Sequence, residues 1–305
     1  MIICRLQGGL GNQMLQYACA RSLSLLTKQP LRLDLSFLND RSIPEITFRS
    51  YELGCFRLNA SFAGKFDICR IIPPYHHTGN SFWRRKERSL YRFWQRISKK
   101  KIILENSAYV YEENVFSELD KTGYFMQGYF FSYRYFEQFR DIIISDFQPR
   151  SLSEPATEYL SMIKNANKSC SLHVRRGDYV TNKSANHFHG LCPIDFYKKA
   201  VELICQKEPE TTFFCFSDDI EWCKQHLNEL NVPIIFVEQK AGMHNFEDLI
   251  LMSQCTHNII ANSTFSWWGG WLNQTPQKCV IAPRALATDP TVSVKDVYPP
   301  EWITL

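Results

Sequence analysis

The chain has 305 residues, of which 45% are apolar, 22% charged and 14% aromatic; this composition excludes a disordered tail, a collagen and a small cysteine scaffold. The 35 Lys and Arg against 31 Asp and Glu give a formal +4, and the length allows two ordinary domains or one large α/β domain. Charge is uneven: Arg84–Lys101 (RRKERSLYRFWQRISKKK) holds nine basic residues and one acidic, a local +8 that leaves −4 on the rest, which argues against nucleic acid as a partner.

In chain order, the opening MIICRLQGGLGNQ meets Arg5 and Gln7 too soon for a signal peptide, and no 18-residue apolar stretch follows. A cytoplasmic protein is expected. The pattern predicts a strand at Ile2–Leu6, a Gly-rich turn, a helix through Leu26 and a strand at Leu31–Leu35. Tyr124–Phe131 reads as another strand, and Tyr133–Asp146 as a helix that ends before Pro149. The polar stretch Gln148–Ala156 marks a boundary between residues 1–150 and 151–305.

Beyond it, apolar runs at Cys170–Val174, Thr211–Phe216, Val232–Val237, His257–Ala261 and Lys278–Ala282 alternate with helical patterns. Those patterns cover Ile194–Gln206, Ile220–Leu230, Phe246–Cys255 and Phe265–Asn273. Such alternation predicts an α/β fold with a parallel sheet covered on both faces. The 11 cysteines, none closer than Cys215 and Cys223, form neither a disulfide framework nor a C-x-x-C zinc site, and read as buried thiols.

Four segments join a strand's carboxyl end to an anion-capable turn. In Gly8–Tyr17 (GGLGNQMLQY), glycines such as Gly11 admit close backbone approach, and a helix start near Asn12 favours an anion. A dinucleotide fingerprint is the rival there, with Asp34 as its acidic residue, although Met14 occupies the third glycine position. A tight turn without ligand is the plainer alternative.

His173–Tyr179 (HVRRGDY) carries Arg175 and Arg176 past a strand end. Strand alternation aims His173 and Arg175 to one face and Arg176 to the other. One guanidinium suits a diphosphate whose charge grows as it leaves; the structural alternative is an ion pair with Asp178.

Phe213–Trp222 (FFCFSDDIEW) adds Asp218 and Asp219. One of them caps the next helix, while a second carboxylate accepts the paired N–H donors of a guanine edge. Metal is expected to play no part, since no D-x-D occurs in the chain. In Ala261–Asn273 (ANSTFSWWGGWLN), Asn262, Ser263 and Thr264 open a helix that suits phosphate. Trp267, Trp268 and Trp271 read as core.

These motifs in this order, GGLGNQMLQYA, HVRRGDY, FSDD and NSTFSWWGGWLN, resemble the α-1,2-fucosyltransferases, their bacterial members in particular. The resemblance runs from residue 8 to about 273. It implies a GT-B type fold: two Rossmann-like domains, an acceptor-side domain over residues 1–150 and a nucleotide-sugar site mostly on residues 151–305. It also implies GDP-β-L-fucose as donor, a terminal galactose of an oligosaccharide or glycolipid as acceptor, inversion, and no metal or cofactor.

By similarity, Arg175 holds the diphosphate, His173 lies near the guanine, Asp218 or Asp219 reads the base edge, and Asn12, Ser263 and Thr264 add phosphate contacts. Asp178 is the nominal base. His187 and His189, in NHFHGLC, are expected in an acceptor loop, with a metal-like H-x-H reading as the rival. In the basic window, Leu90, Phe93, Trp94 and Ile97 recur at helical spacing and predict an amphipathic helix that packs on its domain or touches an anionic membrane. A fucosyltransferase of another linkage, such as α-1,6, and a non-enzymatic glycan-binding module are the competing functions.

Overall fold

The computed structural model describes residues 1–41, 49–72, 99–107, 109–177, 190–288 and 293–305. The chain divides into two units, Met1–Gln148 and Pro149–Leu305. Each is built on a parallel sheet with helices packed on it, so the chain is an α/β protein of the GT-B type.

The sheet of the first unit contains β1 (Ile2–Arg5), β2 (Leu31–Asp34), β3 (Ser61–Phe62), β4 (Lys100–Leu104) and β5 (Gly123–Gln127) in the order β3-β2-β1-β5-β4. All its neighbouring strands run parallel. Central β1 is covered on both faces, which is why Ile2, Ile3 and Cys4 are all fully buried and the run shows no polar alternation. After it, α1 (Leu10–Thr27) is buried around most of its circumference. Among the described residues, three shorter helices follow: α2 (Ser36–Asn39), α3 (Lys65–Ile71) and α4 (Arg140–Asp146).

Two expectations change here. The strand expected to run to Phe131 stops at Gln127. The helix expected over Tyr133–Asp146 is two 3-10 turns, Tyr133–Tyr135 and Glu137–Phe139, followed by α4. Tyr135 and Phe136 are adjacent and both fully buried. A break at Phe136 (φ −139°) separates the two 3-10 turns.

The last lysines of the basic window belong to β4. Lys101 Nζ donates to the carbonyl oxygens of Asn114 and Ser117, each at 2.6 Å. Residues 84–98, with the amphipathic positions Leu90, Phe93, Trp94 and Ile97, lie outside the described residues.

The second unit has β6 (Lys168–Val174), β7 (Thr211–Ser217), β8 (Ile234–Phe236), β9 (His257–Ile259), β10 (Val280–Ala282) and β11 (Ile303–Thr304). Their order is β11-β10-β9-β6-β7-β8, again parallel. Among the described residues, the helices are α5 (Glu154–Asn165), α6 (Ile194–Lys207), α7 (Ile220–Leu227), α8 (Asn245–Gln254) and α9 (Thr264–Leu272). Leu172, Phe213, Cys215 and Ile259 of the sheet share a core with Tyr197, Ala200 and Ile204 of α6.

Trp267, Trp268 and Trp271 of α9 are at most 1% exposed and pack together as core residues, Trp267 stacked on Trp271 and Trp268 edge-on to both. All 11 cysteines are free thiols. No helix among the described residues is long and apolar enough to cross a membrane.

Candidate active site

The second sheet reverses direction at its middle. From β6 the chain steps outward through β7 to β8, then returns to place β9 on the opposite side of β6. Parallel strands leave a ligand crevice beyond their carboxyl ends at such a switch point. Three predicted segments meet there: Arg175–Gly177 after β6, Asp218–Asp219 after β7 and Asn262–Thr264 after β9. The register that pairs His173 with Phe216 and Val174 with Ser217 brings the first two side by side.

His173, the penultimate residue of β6, is 4% exposed, with its ring 5.8 Å from that of Phe265. Burial drives its pKa down to about 4, against the pull of Asp218 and with a small push from Arg175. The imidazole is therefore neutral at physiological pH. Its Nδ1 is buried and has no hydrogen-bond partner among the described residues. An orphaned buried polar atom costs free energy unless a ligand satisfies it.

The two arginines take different partners. Arg175 Nη1 lies 2.8 Å from Asp218 Oδ2. Asp218 also accepts the Arg176 backbone N–H through Oδ1 at 2.8 Å, so one carboxylate organises both residues. Gly177 permits this approach, because a Cβ there would lie 2.5 Å from Asp218 Oδ2. The Arg176 side chain turns to α7: its Nε donates to Asp219 Oδ2 at 3.0 Å, and its guanidinium lies 4.1 Å over the Trp222 ring. Asp219 also caps α7, accepting the Trp222 N–H at 3.2 Å. Asp178, the sequence-derived partner and base, lies outside the described residues.

At the β9 edge, Ser263 caps α9 by accepting the Phe265 N–H at 3.3 Å. The half-buried Thr264 hydroxyl has no partner among the described residues. Asn262 is 5% exposed and donates to the Gly190 carbonyl at 3.2 Å, while the Cys192 thiol donates to its Oδ1 at 3.5 Å. Asn262 thus anchors the return of the loop that follows HVRRGDY. Cys192 faces Asn262, and burial pushes its thiol up to about 11. His187 and His189 lie outside the described residues.

Two carboxylates on α8 escaped the sequence analysis. Glu247, 1% exposed, accepts the Ser153 N–H, the Ser153 hydroxyl and the His244 N–H. It ties the start of α5 to the start of α8. Beside it, Asp248 Oδ1 is buried without a partner among the described residues, while Oδ2 accepts Gln239 Nε2 at 2.7 Å. Burial raises this carboxyl to about 7. In the sequence, an acidic pair before an apolar run reads as ordinary first-turn charge; burial distinguishes it.

In the first unit the Gly-rich turn is locked from within. Gln13, fully buried in α1, donates to the Gly8 and Ser50 carbonyls at 2.8 Å each and accepts the Glu52 N–H at 3.0 Å. Gln16 exchanges two hydrogen bonds with the Gln7 backbone. Gly8 has φ +77°, and a Cβ there would lie 2.6 Å from Asn12 Nδ2. Gly11 is buried and Asn12 half-buried beside this turn. Asp34 is 1% exposed and held by Arg5 Nε at 2.9 Å, so the carboxylate required by the dinucleotide reading is engaged in a buried ion pair.

The family model described as "Glycosyl transferase family 11" matches residues 1–305. The O-antigen biosynthesis glycosyltransferase WbnK of Escherichia coli is 37% identical over 295 residues, 92% of each chain. An α-1,2-colitosyltransferase of Escherichia coli is 31% identical over 316 residues, 100% of this chain and 99% of the relative. Among solved structures, that of an Arabidopsis thaliana FUT1 variant in complex with GDP has a TM-score of 0.53 at 13% identity, over 92% of this chain and 69% of the other.

Proposed function

Since the chain belongs to glycosyl transferase family 11, the α-1,2-fucosyltransferase family, we propose that it transfers L-fucose from GDP-β-L-fucose to the 2-hydroxyl of a terminal galactose, with inversion. That it is a glycosyltransferase follows from the family itself. The donor, the acceptor and the residue roles are the proposal.

The observation that carries it is the Arg175–Asp218 pair beside the neutral, unsatisfied His173 at the switch point of the second sheet. Arg175 is one-quarter exposed on the side chain and turns from Asp218 toward a diphosphate as that group enters. The N-terminus of α9, with Ser263 and Thr264, adds partial positive charge for the phosphate oxygens. Together they stabilise the charge that grows on GDP as the glycosidic bond breaks.

Asp218 or Asp219 reads the base edge in this proposal, and Asp248, whose Oδ1 is buried without a partner among the described residues, is a further acceptor for the N–H donors of a guanine edge. His173 supplies a neutral ring nitrogen to the same nucleoside. Direct inversion needs one base to take the acceptor proton, and Asp178 is the residue this reading names. His187 and His189 belong to its acceptor loop.

A second donor is favoured by the 31%-identical relative named as an α-1,2-colitosyltransferase. Colitose is fucose without the 3-hydroxyl, so the same nucleotide site serves both sugars. One experiment tests the whole reading: incubation with GDP-fucose or GDP-colitose and a panel of galactosides, with and without chelator, and NMR of the linkage formed. GDP release with an α-1,2-fucosylated galactoside is the expected result. Colitose transfer alone, or another linkage, overturns the corresponding part.

A further inference from the structure

At the carboxyl edge of the first sheet, β4 and β5 end side by side, with Leu104 opposite Gln127. The segments that leave them converge on Glu105, whose Oε2 accepts the Tyr129 N–H and whose Oε1 accepts the Phe130 N–H, both at 2.7 Å. Gly128 makes the turn possible, since a Cβ there would lie 2.4 Å from Glu105 Cβ. Phe130 then adopts φ +53° and is fully buried, while Tyr129 projects at 39% exposure.

Tyr109 comes in from the segment after β4 with φ +66°, its ring 5.5 Å from that of Phe131. A left-handed backbone at a bulky aromatic is costly, as is the same conformation at Phe130. The fold therefore spends strain at two places to shape one small patch.

The chemistry of that patch is specific. Burial, then Tyr129 and Glu105, push the Tyr109 hydroxyl up to about 12. Burial and Glu105 raise Tyr129 in the same direction. Both are neutral phenols at any working pH, able to donate and accept. Neither hydroxyl has a hydrogen-bond partner among the described residues. A partly exposed aromatic ring beside two unused hydroxyls complements a pyranose, which has an apolar C–H face and a rim of hydroxyls. The location fits as well, because β5 borders β1 at the switch point of this sheet.

We propose that Tyr129 and Tyr109, held in place by Glu105, bind the acceptor galactoside, with the sugar's apolar face on the Tyr129 ring and its hydroxyls on the two phenols. This rests on the reading of the chain as a galactoside transferase. Glu105 acts as a positioning residue through the backbone of Tyr129 and Phe130.

The test measures binding of methyl β-D-galactoside by saturation-transfer NMR in the presence of GDP, the acceptor KM, and the rise in melting temperature caused by GDP. Tyr129→Ala is expected to weaken galactoside binding and raise the acceptor KM about tenfold, the equivalent of one aromatic contact. Tyr129→Trp keeps the flat face and is expected to restore both. Tyr109→Phe removes a single hydroxyl and is expected to raise the acceptor KM severalfold. The GDP-induced rise stays at the wild-type value in all three. Wild-type galactoside binding and KM in Tyr129→Ala, with GDP stabilisation intact, overturn the tyrosine site alone. Failure of GDP to stabilise even the wild-type protein overturns the donor reading, and the acceptor assignment with it.

Discussion

Arg175 Nη1 and Asp218 Oδ2 lie 2.8 Å apart at the carboxyl ends of adjacent strands, each side chain 26% exposed. A pair this open to water adds little to stability, about 0–1 kcal/mol. Its consequence is orientation: the guanidinium is held at the switch point, where in the proposed function an incoming diphosphate takes it over.

Arg175→Ala should therefore abolish transfer, lowering kcat/KM by about 100-fold or more, while the melting temperature changes little. Arg175→Lys should recover a small part, because an ammonium cannot reproduce the two-pronged guanidinium contact. Steady-state kinetics alongside thermal denaturation checks both. Full activity in Arg175→Ala removes the clamp from the mechanism.

With Asp248 in the proposed guanine site, stability and nucleotide binding are expected to depend on pH in opposite senses. Its folded pKa is raised from the ordinary 3.8 to about 7, so its contribution to stability is fully present below about 3.8 and is lost as pH rises through about 7. Asp248→Asn should flatten that trend and leave the empty protein more stable than wild type at pH 8, by about 2 kcal/mol. Guanine donors favour the carboxylate, so wild-type GDP affinity should rise from pH 6 to pH 8, and the variant should bind weakly throughout. Calorimetry at three pH values separates these outcomes; an unchanged GDP affinity in the variant excludes Asp248 from the base site.

His173 runs the other way. Its folded pKa is depressed to about 4, so the stability it carries is present above the ordinary 6.5 and is lost as pH falls through about 4. Its ring resonances should show a neutral imidazole down to about pH 5. Replacing an unsatisfied buried polar ring by a hydrocarbon is nearly neutral or stabilising, so His173→Leu should keep or raise the melting temperature and weaken GDP binding about tenfold. Retained affinity would show that the orphan nitrogen serves no ligand.

Glu247 carries stability rather than chemistry. It is 1% exposed and accepts three hydrogen bonds from Ser153 and His244. Glu247→Ala strands those donors and should cost about 3 kcal/mol, seen as a lower urea midpoint with an unchanged slope. Glu247→Gln, which keeps an acceptor, should cost less. A midpoint unmoved in Glu247→Ala would mean that water replaces the carboxylate without penalty.

Legibility in the sequence tracked burial. β6 and β7 were readable because their residues are buried: β7 carries the continuous apolar run Phe213–Phe216, and β6 alternates Cys170, Leu172 and Val174 with Ser171 and His173. β3 and β11 were missed: each has two residues and sits at a sheet edge, where little apolar signal accumulates. β4 was hidden by the lysines that open it. Asp248 passed as surface charge because the composition of a helix's first turn does not reveal whether that turn is buried.

The strand–turn–helix alternation and its punctuation by GGLGNQ, HVRRGD, FSDD and NSTF were determined by sequence alone, since local propensity and apolar periodicity act over a few neighbouring residues. The tertiary structure decided which charges meet. Asp218 and Arg175 are 43 positions apart in the chain, and no local rule pairs them. The hydrogen-bonded register of β6 against β7, with Val174 opposite Ser217, sets that pairing, and Gly177 leaves room for it.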